Sequence, residues 1–285
     1  MLILWVRATC GCVAAACFID IETMGKNQTI LFHSTVFGPV HSRRLGISLG
    51  VNLSPSDGKV CSFDCLYCEA GFNSQGPGKS GLPTREQTGA QLRAKLEAMR
   101  AEGSGLDVIT FSGNGEPTMN PEFPAILEDT MRLRDEFFPE AKVSVLSNST
   151  RIDNAEVARA LAKADNNILK LDSAIEETMR LLDRPVQKSF TVEKVVDLLS
   201  AFGDKCIVQT MMLRGEHEGK RVDNTTEEEV QALMEAYRKI RPSEVMLYSI
   251  DRTTPAEQLE KVSADELKAI GARIERETGI HVQVN

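Results

Sequence analysis

The chain has 285 residues, 42% of them hydrophobic and 26% charged. That is an ordinary globular mixture, long enough to bury a large core without disulfide staples. The formal net charge is −8 and no long Lys/Arg block stands out, so nucleic acid is disfavoured as a substrate against a small molecule or another protein.

Residues 1–23 are apolar and hold Cys10, Cys12 and Cys17. Arg7 follows the apolar run 2–6, whereas a secretory signal carries its positive charge first. Ala14-Ala15-Ala16-Cys17 loosely matches a lipoprotein cleavage site, and neither apolar run reaches the ~20 residues that span a bilayer. We read residues 1–23 as upstream sequence ahead of a start at Met24, with residues 24–285 forming one domain. The three early cysteines leave a second metal site open. There are seven cysteines in all, three of them crowded into residues 61–68, which points to metal binding rather than stapling. Thiols of that kind stay reduced in the cytoplasm, the expected compartment, and no membrane role is expected.

From residue 83 onward, short β-branched apolar runs alternate with amphipathic stretches of helical period. Strands are expected over 47–52, 107–111, 142–146, 167–171, 205–211 and 244–249, with a further one in the tail at 281–284. Helices are expected over 86–101, 124–137, 154–164, 192–202, 227–240 and 264–277, with Thr84, Thr191, Thr226 and Ser263 as N-caps. Repeated strand–helix alternation predicts an α/β fold with a parallel sheet, curved into a partial (β/α)6 TIM-like barrel. An open doubly wound sheet is the competitor. The Gly- and Ser-rich segment 69–82 is expected to be a flexible cover, and the charged stretch 214–224 to be a loop.

The strongest chemical signal is Cys61-Ser62-Phe63-Asp64-Cys65-Leu66-Tyr67-Cys68, a C-x3-C-x2-C spacing after a strand. Soft thiolates select iron–sulfur clusters, zinc or copper(I). Three thiolates leave a four-iron cluster one iron short of a protein ligand, an open position that a cofactor or substrate can take. The rival is zinc completed by a distant residue such as His41 or Cys206. The second signal is Ser112-Gly113-Asn114-Gly115-Glu116-Pro117-Thr118, a glycine-rich turn at a strand's C-terminal end, where barrel sites lie. Later strand ends carry Ser147, Asn148 and Ser149, then Lys170, Asp172 and Ser173, then Gln209 and Thr210. Hydroxyls and carboxylates find partners in such groups, although strand-end capping uses the same residues.

The cysteine motif, with the aromatic Tyr67 before its last cysteine, resembles the radical S-adenosylmethionine (radical SAM) superfamily. The resemblance implies a 4Fe–4S cluster on Cys61, Cys65 and Cys68 whose open iron chelates S-adenosylmethionine. It implies reductive cleavage to a 5′-deoxyadenosyl radical and hydrogen abstraction from a substrate. Gly115, Glu116 and Pro117 match the superfamily's Gly-Gly-Glu-Pro motif, which contacts the methionine amino group; Asn114 departs from its first glycine, and the resemblance implies that it and Tyr67 join these three among the cofactor-binding residues. Ser147, Asn148, Asp172, Gln209 and Thr210 are the implied partners of the ribose and the methionine carboxylate. The lead-in Gly38-Pro39-Val40-His41-Ser42-Arg43-Arg44-Leu45-Gly46 and the late Asp251-Arg252-Thr253-Thr254-Pro255 resemble the short Fe–S oxidoreductases related to wyosine-type tRNA synthases and the nitrogenase cofactor maturase NifB. Arg43, Arg44 and Arg252 are substrate candidates, with solvated or structural turns as the alternative. A one-electron donor such as flavodoxin or ferredoxin is the implied partner. A glycyl-radical activase, a tRNA-modifying enzyme and a non-enzymatic iron–sulfur or zinc protein are the rival readings.

Overall fold

A computed structural model describes residues 30–42 and 45–285. The elements run β1 (Val36–Ser42), β2 (Gly46–Val51), α1 (Arg85–Ala101), β3 (Val108–Phe111), α2 (Phe123–Phe137), β4 (Lys142–Ser147), α3 (Ala155–Leu161), β5 (Asn166–Lys170), α4 (Glu176–Leu182) and α5 (Val192–Ser200). They continue with β6 (Ile207–His217), β7 (Lys220–Asp223), α6 (Glu227–Ile240), β8 (Glu244–Ser249), β9 (Leu259–Lys261), α7 (Ala264–Thr278) and β10 (Val282–Val284). Strands β2, β3, β4, β5, β6 and β8 lie side by side and parallel, and β10 extends the row beside β8. The other edge is β1, antiparallel to β2. The sheet does not close on itself, so the fold is a partial (β/α)6 barrel with one antiparallel edge strand. Cys10, Cys12, Cys17 and the Arg43–Arg44 pair lie outside the described residues.

Strand parity sets what each side chain faces. Leu49, Val51, Ile109, Phe111, Val143 and Val145 are buried in one apolar cluster with Leu92, Leu96 and Met99 of α1 and with Phe123, Ile126 and Leu127 of α2. The opposite parity faces the barrel interior, where polar pairs line the floor. The hydroxyls of Ser48 and Thr110 meet at 2.8 Å, and Asn166 Nδ2 donates to Ser144 Oγ at 2.8 Å. Helix starts follow their caps: Thr84 forms a capping box with Gln87, and Thr191, Thr226 and Ser263 each accept an N–H from the first turn.

Three expectations change. Strand β1 forms around Gly38-Pro39 because its register shifts there, stepping past a proline that has no N–H to give. The stretch 214–224 is not a loop: β6 runs on to His217, turns into β7 and also pairs with β9, making an antiparallel flap. Its charges face water or pair off, as Arg221 does with Asp223, which an antiparallel ribbon tolerates. The segment 69–82 is tied down rather than loose: Lys59 Nζ donates to the Gly71 carbonyl at 2.7 Å, and Asp57 accepts the N–H groups of Lys79 and Ser80. Among the described residues no helix is long and apolar enough to cross a membrane.

Candidate metal centre and cofactor site

The cysteine loop follows β2 at the C-terminal edge of the sheet and is braced on two sides. Glu116 N–H donates to Val60 O at 3.0 Å, joining the loop's base to the glycine-rich turn after β3. On the other side Asp64 and Leu66 donate to Asp183 O and Leu182 O, each at 3.0 Å, and Val186 donates to Ser62 O at 2.9 Å. Cys61 and Cys68 are half-buried, Cys65 is buried, and all three are free thiols. The charges of Cys61 and Cys68 both act on Cys65, so the three form one electrostatic group. Burial pushes the Cys61 thiol up to about 11 and the Cys65 thiol well above its ordinary range. Thiols so placed ionise when a metal takes the proton's place, so the donor set fits a soft metal centre. Among the described residues no three His, Cys, Asp or Glu are drawn together to hold a single ion; a multi-iron cluster puts several atoms between its ligands and does not ask for that.

Neither distant zinc ligand is available. His41 pairs with Ile47, at the start of β2 and so at the opposite edge of the sheet. Cys206 also sits at that edge, just before β6, with its thiol donating to Gly203 O at 3.3 Å.

In the second motif, Gly115 has no room for a side chain: a Cβ there would stand 2.0 Å from Val60 O. The left-handed backbone falls on Gly113 (φ +152°), not on Asn114. Asn114 is fully buried and already committed, since its Nδ2 donates to Phe32 O and Pro55 O, both at 2.9 Å, and its Oδ1 accepts from Phe32 N–H at 2.7 Å. Its amide therefore braces the N-terminal segment and faces away from the role given to it as a cofactor ligand. Glu116 accepts from Thr118 N–H, Thr118 Oγ1, Ser147 Oγ and Asn148 N–H. Burial raises its pKa against the pull of those bonds. Pro117 is buried and opens a single 3₁₀ turn. Asn148 Nδ2 lies 3.5 Å from Cys61 Sγ and donates to Ser62 Oγ at 2.9 Å.

Around Cys65 lies a second buried network. Lys170 Nζ donates to Cys65 Sγ at 3.2 Å and to Tyr67 Oη, and stands 3.1 Å from Asp172 and 3.0 Å from Asp183. Tyr67 Oη in turn donates to Asp172 Oδ2, and Asp172 Oδ1 accepts Met211 N–H at 2.9 Å. Burial works against the Lys170 ammonium, yet Asp172 and Asp183 hold its pKa well above the usual lysine range. Burial raises the Asp183 pKa, and the Lys170 ammonium beside it opposes the rise.

Strand parity separates the two β6 candidates. Gln209 is the register partner of Lys170 and shares its interior face, and its Nε2 is buried without a hydrogen-bond partner. Thr210 faces the helices instead: its hydroxyl donates to Leu171 O at 2.7 Å and meets Tyr237 Oη at 2.7 Å. Adjacent strand residues cannot share a face, which removes Thr210 from the site. Arg252 is exposed at the rim and pairs with Glu69, next to Cys68, at 2.6 Å. The structure thus gathers Cys61, Cys65, Cys68, Tyr67, Gly115, Glu116, Ser147, Asn148, Asp172 and Gln209 at one end of the barrel. Sequence reasoning left Lys170 out of the cofactor partners and missed Asp183 and Lys59, a buried lysine 3.8 Å from Asp64. Lys59 stands two residues before Cys61, a signal that was available; Asp183 had none.

Comparison with known proteins agrees with this arrangement. The profile of the radical SAM superfamily matches residues 56–224, which span both motifs and every strand from β3 to β7. A UPF0026 protein of Synechocystis sp. is 31% identical over 229 residues, 78% of each chain. A UPF0026 protein of Helicobacter pylori is 28% identical over 81% of this chain and 71% of its own. A Brachyspira hyodysenteriae protein named GTPase Obg is 27% identical over 91% of this chain, which spans only 36% of that protein. Among solved structures, a radical SAM methyltransferase from Sphaerobacter thermophilus superposes with TM-score 0.61 at 16% identity, over 84% of this chain and 65% of its own. TYW1 with a lysine–pyruvate adduct superposes with TM-score 0.55 at 14% identity, over 82% of this chain and 76% of its own, a likeness of fold. With the profile covering more than half of its length and both motifs on the same sheet edge, the chain belongs to the radical SAM superfamily.

Proposed function

We propose that the chain holds a 4Fe–4S cluster on Cys61, Cys65 and Cys68 and uses it to cleave S-adenosylmethionine reductively. The observation that carries this reading is the trio of thiols on one doubly braced loop at the C-terminal sheet edge, with the one other described cysteine, Cys206, at the far edge. When bound, such a cluster supplies an open iron for the amino and carboxylate groups of S-adenosylmethionine and one electron for its sulfonium, giving a radical that abstracts hydrogen from substrate.

The chain's own residues prepare the space. Glu116 locks the end of β4 by taking Ser147 Oγ at 2.9 Å and Asn148 N–H at 2.6 Å, which fixes Asn148 beside Cys61. Asp172 accepts from Tyr67 and Met211, and Tyr67 covers the interior above β5. Gln209 presents an unpartnered amide donor to the same interior, suited to a carboxylate or a ribose oxygen. The interior is walled by Met211, Met246 and the Phe63 ring, all buried, which keeps water from a reactive intermediate. The half-buried Cys61 and Cys68 leave the cluster loop within reach of a one-electron donor such as flavodoxin or ferredoxin. A small molecule or a protein segment is the substrate class this acidic chain favours.

The test is anaerobic reconstitution with iron and sulfide, then dithionite and S-adenosylmethionine, with 5′-deoxyadenosine followed by chromatography. Wild type forms the nucleoside and Cys65→Ala does not. Binding of zinc alone, with no iron–sulfur absorption, overturns the proposal.

A further inference from the structure

Lys170 ends β5, and its parity is forced: Leu169 and Leu171 on either side are buried against the helices, so the lysine points into the barrel. There its ammonium meets Cys65 Sγ at 3.2 Å and lies over two rings, 4.6 Å from the Tyr67 centroid and 5.5 Å from that of Phe63. The side chain is 13% exposed, and its carboxylate partners Asp172 and Asp183 are 0% and 2% exposed. A cation in so dry a place acts on its neighbours through a low dielectric. A methionine, one atom shorter, comes close to filling the same space, and Asp172 has other donors. Asp172 keeps Tyr67 Oη and Met211 N–H, whereas Asp183, whose other donor is the Cys65 thiol, depends on Lys170 once Cys65 has given up its proton to bind metal.

We infer that Lys170 is a positioning residue that sets the reduction potential of the cluster through its N–H···S contact with Cys65. The inference rests on the reading that Cys65 ligates a 4Fe–4S cluster. Hydrogen bonds to cluster sulfurs and nearby charge are the protein's means of tuning such potentials. Reduction adds one electron to the cluster and no bond changes, so a fixed positive charge 3.2 Å from a ligating sulfur stabilises the reduced form more than the oxidised one. The potential rises accordingly. Asp183 Oδ1 lies 3.6 Å from the same sulfur and, in its ionised form paired with Lys170, carries the opposite sign and damps the effect. Tyr67 and Asp172 tie the ammonium to the cofactor side of the barrel, so the group that tunes the cluster also borders the cofactor.

The experiment uses the full chain, reconstituted anaerobically, as wild type, Lys170→Met, Lys170→Arg and Asp183→Asn. Iron and sulfide content is measured first. The cluster midpoint is then measured by redox titration followed by electron paramagnetic resonance, without S-adenosylmethionine. The expected result is a midpoint shifted negative in K170M, near wild type in K170R and shifted positive in D183N. K170M and D183N loaded fully but titrating with wild type overturn the inference, as does a K170R midpoint as negative as that of K170M. If K170M takes up no iron, D183N decides alone: a positive shift supports the inference and an unchanged midpoint overturns it. If both fail to load while wild type loads, the pair serves assembly and not potential, and the inference is overturned. If wild type itself forms no cluster, it is the function proposed above that fails.

Discussion

The side-chain amide of Asn114 holds the backbone of Phe32 at both of its polar atoms. Nδ2 donates to the Phe32 carbonyl at 2.9 Å, and Oδ1 accepts the Phe32 N–H at 2.7 Å. The contact imitates one rung of a β-ladder and spans 82 residues of chain. The superfamily's Gly-Gly-Glu-Pro has a glycine at this place, which makes no such bond. Nearby, Ile30 N–H donates to Glu69 O at 2.8 Å, so the segment Asn114 anchors runs across the cysteine loop.

Asn114→Gly keeps the backbone of the turn, whose left-handed residue is Gly113, and removes the anchor. Three hydrogen bonds, two to Phe32 and one to the Pro55 carbonyl, at about 0.5–1.5 kcal/mol each predict a loss of roughly 1.5–4.5 kcal/mol. Urea unfolding reads the loss, and limited proteolysis reads early cleavage around residues 30–35. A variant as stable and as protease-resistant as wild type shows that the Phe32 contact carries no weight.

Gly115→Ala is expected to be the most damaging single-methyl change in the site. Its Cβ would meet Val60 O at 2.0 Å and Ser54 Oγ at 2.8 Å, and Val60 bridges Gly115 as a parallel pair. The nearest neighbour is the Val60 backbone, which cannot swing aside as a side chain can, so the base of the cysteine loop moves. Overpacking of this kind costs about 1–3 kcal/mol, and here it also displaces Cys61 one residue on. Iron content after reconstitution falls well below that of wild type. Full iron loading with unchanged stability contradicts the rigid contact.

The parallel sheet and both motifs were legible because each depends on local spacing. Alternating apolar runs of strand and helix length give the sheet, and C-x3-C-x2-C needs no tertiary knowledge. What was not legible depends on parity and on distant partners. Gln209 and Thr210 are neighbours in one strand and looked equally apt; only the register to Lys170 and the Tyr237 hydroxyl beyond the sheet tell them apart. Which way Lys170 points is likewise not legible, because half of strand residues face the helices. Asp183 enters the site from the end of the seven-residue α4, too short to announce itself by period. The flap of β6, β7 and β9 was read as a loop because its charges hide the alternation.

Asp57 predicts a pH dependence. Its carboxylate accepts Lys79 N–H, Ser80 N–H and Ser80 Oγ, and these bonds lower its pKa from 3.8 to about 2. The folded state therefore prefers the ionised form. That contribution is fully present above the ordinary value and is lost as pH falls through about 2. Asp57→Asn removes it at every pH. The stability difference between wild type and D57N, measured by urea unfolding of the metal-free chain, is constant above about pH 5 and closes between pH 4 and pH 2. A gap that does not narrow over that range contradicts the assignment.

The two adjacent β6 residues should fail in opposite ways. Thr210→Val strips the partner from the buried Tyr237 hydroxyl and from the Leu171 carbonyl, while keeping the side chain's shape. Leaving such groups unsatisfied costs about 1–3 kcal/mol, so the melting point drops. Its binding of S-adenosylmethionine, measured by calorimetry on reconstituted protein below the melting point, stays at the wild-type value because the hydroxyl never faced the interior. Gln209→Leu does the reverse. Nε2 has no partner in the folded chain, so replacing the amide by an apolar group of similar size leaves stability unchanged or raises it. Binding weakens, because the unpartnered donor is what the interior offers a carboxylate or hydroxyl. A bond from a neutral amide to a charged group is worth about 1.5–3 kcal/mol, which predicts a loss of roughly ten- to a hundredfold in affinity. Were T210V to lose affinity and Q209L to lose stability, the parity of β6 would be reversed, and with it the assignment of which face of the sheet binds the cofactor.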